Sequence, residues 1–261
     1  MRQCGEQFAD DPLHALAQWY RTPLGQRIAQ AEETCLRHLL EESFGYYLLQ
    51  LGLSEPFAPL LGISRVHHRL VIEAQPTPAH PPALALCGAL DRLPFAADSL
   101  DVVVMIHALD FASNPHGVLR EVERVLVPEG RVILLGFNPH SAWGLRRLWP
   151  RWRPRVPWCG SHLTPGRLTD WLALVGMQVE RREMLVFCPP VRRAFGTRLE
   201  NLEALGQRWW PLLGGIYALR AVKRVYTPTP VRPSWPRRRA RLLPGGAVKP
   251  TVREQSDDSN H

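Results

Sequence analysis

Residues 93–135 read LPFAADSLDVVVMIHALDFASNPHGVLREVERVLVPEGRVILL, and this stretch decides the fold. Asp101 opens an apolar run, Val102 to Ile106, that is short and β-branched as a strand buried on both faces should be. Asn114 and Pro115 supply an N-cap and a first helical residue for a helix whose Val118, Leu119, Val122, Val125 and Leu126 recur with a 3.6-residue period. Pro128 to Gly130 stops that helix, and Arg131 to Gly136 reads as a second buried strand. A strand, a helix and a strand this close together form a right-handed parallel crossover, the unit from which doubly wound α/β sheets are built.

Working outward, Thr22 and Pro23 begin a helix with Leu24, Ile28, Ala31, Cys35 and Leu39 along one stripe, expected to cap the sheet. Tyr46 to Leu51 is the first strand, ending at Gly52; Arg69 to Glu73 is the second and Leu84 to Cys87 a short third. Asp101 to Ile106 is the fourth and Arg131 to Gly136 the fifth. Between the second and third lies AQPTPAHPPA, whose four prolines cannot make the usual crossover helix, so that helix is expected to be missing. Thr164 and Pro165 cap a further helix bearing Leu168, Trp171, Leu172 and Val175, closed by Gly176. Met177 to Val186 and Gly215 to Val225 read as two last strands, with a partly apolar insertion, Glu200 to Leu213, between them. The expected organisation is a helical cap (1–42), an α/β domain (43–226) and a disordered basic tail (227–261).

A chain of 261 residues with 45% hydrophobic side chains can bury one sizeable core. No apolar run approaches the roughly 18 residues of a membrane span, and MRQCGEQFADD has no apolar leader core. Cys4, Cys35, Cys87, Cys159 and Cys188 are scattered, odd in number and without CxxC pairs, which predicts reduced thiols in a cytoplasm and no metal site. The net charge is +8, and the last 35 residues carry seven basic against three acidic side chains, leaving +4 there. That tail is rich in proline; PRRRAR, residues 236–241, could touch nucleic acid or anionic lipid, or simply be solvated. Trp143, Trp149, Trp152 and Trp158 interleave with Arg146, Arg147, Arg151, Arg153 and Arg155. Such a segment could stack bases or grip an acidic substrate, or its tryptophans could plug the rim of the core.

LPF, then a DxV strand, then LREVERVL followed by PEG resembles the class I S-adenosylmethionine-dependent methyltransferases, their type 11 group in particular. The usual form there is LPF, a short spacer, FDVV and a helix ending in RVLKPGG; here Leu100 replaces the Phe, Val127 the Lys and Glu129 the first Gly. The resemblance implies a Rossmann-like, mostly parallel seven-stranded sheet flanked by helices, ordered 3-2-1-4-5-7-6 with an antiparallel final strand. GFNPHSAWGLRR, residues 136–147, together with Trp19, Thr22, Pro23, Leu24 and Gly25, is similar to a bacterial subgroup of uncharacterised methyltransferase-like proteins.

The resemblance further implies S-adenosylmethionine as cofactor, held by a glycine-rich turn after the first strand. The aligned residues are Gln50, Leu51, Gly52, Leu53, Ser54, Glu55 and Pro56, so one glycine survives, Gln50 stands for the acid, and Ser54 and Pro56 for later glycines. Either Gly52 and Ser54 form a narrower cofactor floor, or this is an ordinary strand exit. Glu73 matches the acid that binds ribose hydroxyls. The adenine-contacting acid aligns with Ala89, leaving Leu90 and Asp91 as the residues on that side, Asp91 either compensating or solvated. His107 and Asp110 lie just past the fourth strand, where family members face cofactor and substrate; His107 could also act as a base. Asn138, His140 and Trp143 follow the fifth strand on the acceptor side. Methyl transfer asks chiefly for alignment and exclusion of water, and no particular catalytic residue is singled out. Two functions remain: a methyltransferase acting on a small-molecule or acidic substrate, with nucleic acid also open, and a methyltransferase-like binding or regulatory protein without catalysis.

Overall fold

β-branched and leucine-rich runs, alternating in side-chain direction, place hydrocarbon on both faces of each central strand and so demand cover on both sides. In the computed structural model this produces one seven-stranded sheet, ordered β3-β2-β1-β4-β5-β7-β6. The structure describes residues 12–73, 84–146, 156–188, 206, 208, 210 and 212–225. The chain divides into units 1–226 and 227–261, the second outside the described residues. β1 (Phe44–Gly52), β2 (Arg65–Glu73), β3 (Leu84–Cys87), β4 (Leu100–Ile106) and β5 (Leu126–Phe137) pair in parallel. β7 (Ile216–Lys223) inserts antiparallel between β5 and β6 (Met177–Leu185). This is the order and the antiparallel insertion that the resemblance implies.

One face of the sheet, through Leu48, Val102, Val104, Ile133 and Leu135, packs under α1 (Pro12–Tyr20) and α2 (Pro23–Glu41). The other, through Leu49, Leu51, Val103, Met105, Val132 and Leu134, packs against α4 (Pro115–Val125) and α6 (Pro165–Leu174). Between β4 and α4 lies the single-turn α3 (Ala108–Phe111), and after β5 comes α5 (Ala142–Arg146). The three expected caps form: Thr22 Oγ1 accepts from Gly25 N at 3.1 Å, Asn114 Oδ1 from Gly117 N at 3.0 Å, and Thr164 Oγ1 from Arg167 N at 3.2 Å. α1 has no counterpart in the sequence reading, because its apolar stripe is short: only Leu16 and Tyr20 are buried.

β1 and β2 begin earlier than their apolar runs. Phe44, Tyr46, Tyr47, His67 and His68 stand exposed, with Tyr46 stacked on His67 and Tyr47 on His68. Half-solvated parallel strands lack the apolar signature, so periodicity finds only their buried ends. Before Arg131, β5 contains a bulge: Leu126 pairs with Leu100, the register slips, and Arg131 pairs with Val102. Glu129, in that bulge, takes φ +64°, the left-handed conformation for which the family pattern uses glycine. Crossovers on the β3 side are short: a 3₁₀ turn, Ala58–Ile63, joins β1 to β2, and ten residues separate β2 from β3. Residues 74–83, where the crossover helix is expected to be missing, lie outside the described residues, as does most of the Glu200–Leu213 insertion.

Two further observations bear on the expectations above. Among the described residues no helix is long and apolar enough to cross a membrane. Cys159 is disulfide-bonded, which corrects the reading of all five cysteines as reduced thiols; even spacing-free cysteines meet when the fold apposes them. Burial and Glu183, to which its Sγ donates at 3.1 Å, push the Cys35 thiol well above its usual range, so it is a packed hydrophobe and not a nucleophile.

Candidate functional site

The C-terminal ends of β1, β4 and β5 meet at one edge, where open α/β sheets bind their ligands. β1 ends in Gly52 at φ +91°, a conformation costly to any residue with a side chain. A Cβ at Gly52 would lie 2.4 Å from the Ile106 carbonyl oxygen and 2.8 Å from the Ala108 Cβ. The missing side chain is therefore matched by the protein's own β4 end, and Leu53 N donates to that same Ile106 oxygen at 2.9 Å. Gln50 is fully buried; its Nε2 donates to Leu53 O at 2.8 Å, while its Oε1 finds no hydrogen-bond partner among the described residues. Ser54 is buried beside it, and Glu55 pairs with Arg21 at 2.9 Å before the cis bond to Pro56.

β4 leads into His107, which adopts φ +52° so that the chain can turn sharply into α3. This left-handed turn tucks the imidazole under the helical cap, with no exposure at all. His107 Nε2 lies 3.0 Å from Glu32 Oε1 on α2, and Nδ1 lies 3.0 Å from Asp110 Oδ2 on α3. Tyr20, from α1, donates its hydroxyl to Glu32 at 2.8 Å and sits 2.9 Å from His107 Nε2. Asp110 Oδ2 also accepts from Phe137 N at 3.1 Å, and the Phe137 ring stacks on the imidazole at 4.1 Å. Burial pulls the His107 pKa down, but the charges and hydrogen bonds of Glu32 and Asp110 outweigh it and raise the value to about 9. His107 is thus an imidazolium held between Glu32 and Asp110. Burial and Glu32 raise Tyr20 well above its ordinary range, so the phenol stays neutral. With both ring nitrogens donating, His107 has no lone pair to act as a base near neutral pH.

The remaining candidates fall into separate surroundings. Leu90 is half-buried against the second core face, and Asp91 is exposed in the turn after β3. Glu73 is the last residue of β2, paired in register with Cys87. Asn138 is buried, and its amide is spent on backbone: Nδ2 donates to Leu212 O and Gly214 O at 2.9 Å each, and Oδ1 accepts from His140 N at 3.1 Å. His140 is exposed at the same edge. Trp143 is buried, its Nε1 donating to Cys188 O at 2.9 Å and its ring stacked on Trp158 at 6.1 Å. For these two tryptophans the core reading applies; Trp149 and Trp152 lie outside the described residues. So the structure gathers Gln50, Gly52, Ser54, His107 and Asp110 at one edge, and assigns Asn138 and Trp143 to packing. Sequence reasoning missed Glu32 and Tyr20. Glu32 did carry a signal, a carboxylate in the apolar stripe of a helix one turn from Ile28 and Cys35, since an acid there must find a buried partner.

An S-adenosylmethionine-sized cation with an ammonium and two ribose hydroxyls needs oxygen acceptors and compensating negative charge. Two buried oxygens without partners among the described residues, Gln50 Oε1 and Asp110 Oδ1, fit the demand for acceptors. Gly52 contributes the bend of the loop and not an open cradle.

Residues 45–134 match the family described as "Methyltransferase domain". With this sheet order, the match makes the α/β domain similar to class I, S-adenosylmethionine-dependent methyltransferase domains. The chain is 35% identical over 162 residues to the uncharacterized protein YafS of Escherichia coli strain K12, an alignment covering 62% of this chain and 65% of that one, so it spans just under two thirds of that relative. A SAM-dependent methyltransferase from Thermotoga maritima superposes with a TM-score of 0.59 at 17% identity, covering 86% of this chain and all of that one. A chain from the complex of the Haloferax volcanii Trm112 methyltransferase activator with its methyltransferase superposes with a TM-score of 0.58 at 19% identity over 80% and 98% of the two chains. At those identities the superpositions establish the fold.

Proposed function

We propose that this chain is an S-adenosylmethionine-dependent methyltransferase. The observation that carries the reading is the set of buried, partly unpartnered oxygens of Gln50 and Asp110 at the ends of β1 and β4, in a sheet of methyltransferase order. When bound, the cofactor supplies a methyl on a sulfonium: the acceptor's lone pair forms the new bond to that carbon as the C–S bond breaks and its electrons return to sulfur. The chain's own residues hold and orient. Gln50 and Asp110 accept from ammonium or hydroxyl donors, Ser54 and Glu73 stand where further polar contacts are needed, and Leu90 and Asp91 flank the adenine side. Asp110 and His140 face the acceptor, a small or acidic molecule. The buried Glu32–His107–Asp110 cluster would fix the Asp110 carboxylate in place for that contact, with Phe137 N as its further anchor. We assign the protein to the cytoplasm on the same basis, as an enzyme of a cellular nucleoside cofactor.

Calorimetric titration with S-adenosylmethionine and with S-adenosylhomocysteine tests this. Saturable heat and a thermal shift are expected with both; neither at millimolar ligand would sink the assignment. One observation favours a second reading, a binding module without turnover: the space over Gly52 is filled by Ile106 and Ala108. Under it both ligands bind, and no methyl is released to any acceptor or to water.

A further inference from the structure

The edge that carries the polar cluster also carries exposed hydrocarbon. α5 follows β5, and residues 206–215 lead into β7; because β7 runs antiparallel to β5, both segments lie at the C-terminal end of β5. Asn138 ties them together, through Nδ2 to the carbonyls of Leu212 and Gly214 and through its backbone N to Gly215 O at 2.9 Å. Ser141 Oγ donates to Asn138 O at 2.7 Å, and Gly144 N donates to that hydroxyl, which fixes α5 on the same asparagine. On this scaffold Leu145 is 58% exposed, Trp210 59%, Leu212 64% and Leu213 45%. A single exposed leucine needs no explanation; four large apolar side chains on two segments joined by one asparagine do.

Charge supplies the second observation. Arg146 is half-buried beside Leu145, its guanidinium 5.5 Å over the Trp158 ring, and Arg208 is exposed two residues before Trp210. No Asp or Glu occurs in residues 130–169 or 204–253, so these stretches of sequence are basic. Leucines and a tryptophan flanked by arginines match the two layers of a membrane interface, hydrocarbon just below and phosphates above.

We propose that this rim, Leu145, Trp210, Leu212 and Leu213 with Arg146 and Arg208, docks the domain on an anionic lipid surface with the ligand-binding edge facing it. The docking is independent of the cofactor assignment. A nucleic acid fits the patch less well: it would engage the arginines and the indole, while three leucines would bury no base-pairing or stacking group.

The test is co-sedimentation of the full chain with vesicles of phosphatidylcholine alone and of phosphatidylcholine containing phosphatidylglycerol. Binding to the anionic vesicles is expected, weakening with salt as the arginine contribution is screened. Leu212→Ser with Leu213→Ser should cut that binding by about tenfold or more while leaving the melting temperature unchanged, since both side chains are already in water. Failure of the full chain to sediment with either vesicle overturns the proposal. So does undiminished binding by the double variant, which would assign it to other arginines, or displacement of the protein from vesicles by single-stranded poly(U), which would make the patch a nucleic-acid surface.

Discussion

Gly52 shows how one residue can be retained for a reason other than the one its motif suggests. In the family pattern this glycine makes room for the cofactor; here a side chain at φ +91° would first collide with the Ile106 carbonyl, 2.4 Å from its Cβ. Gly52→Ala should therefore lose about 3 kcal/mol of stability, from the unfavourable dihedral and the displaced backbone together, whatever it does to ligand binding. Urea unfolding measures this; a loss under about 1 kcal/mol would show that the β1 end yields easily. Gln50 is the complementary case. It replaces an acid yet is as buried as any core leucine, and its Oε1 keeps an acceptor where the family keeps a carboxylate.

Among the elements, the joint between the helical cap and the sheet is electrostatic at its centre. Tyr20 of α1 and Glu32 of α2 meet His107 of β4's end and Asp110 of α3 without exposure to water. Because the folded pKa of His107 is raised from 6.5 to about 9, its contribution is full below pH 6.5 and is lost as pH rises through 9. The contribution is on the order of 3 kcal/mol. Thermal melts should accordingly fall between pH 7 and 9.5, and in Glu32→Gln, where one carboxylate charge is gone, the fall should begin at lower pH. A variant whose melting temperature declines over the same pH range as the wild type would refute the assignment of charge to His107. Caps at Thr22, Asn114 and Thr164 were legible because each is local, a side chain bonded to an amide three residues on. α1 was not, since its two buried residues are recognisable only by what they touch.

Across the whole molecule, the division at Tyr226 coincides with the change in composition from an apolar strand to a proline- and arginine-rich tail. Deleting residues 227–261 should leave the melting temperature of the remainder within about 2 °C of the full chain. A large drop, or failure to fold, would show that the tail belongs to the domain.

The identity of the central strands was determined by the sequence alone, since doubly buried strands and capped helices write their burial into residues a few positions apart; the sheet order was legible only through the family resemblance. Glu32, Tyr20, the disulfide at Cys159 and the packing role of Trp143 were decided only by the tertiary structure. A carboxylate 75 residues from its histidine carries no local mark of that partnership, and whether a tryptophan faces ligand or core depends on what the fold sets against it. The same holds for Leu145, Leu212 and Leu213: their hydrophobicity is in the sequence, but their exposure at one edge appears only when β7 turns back beside β5.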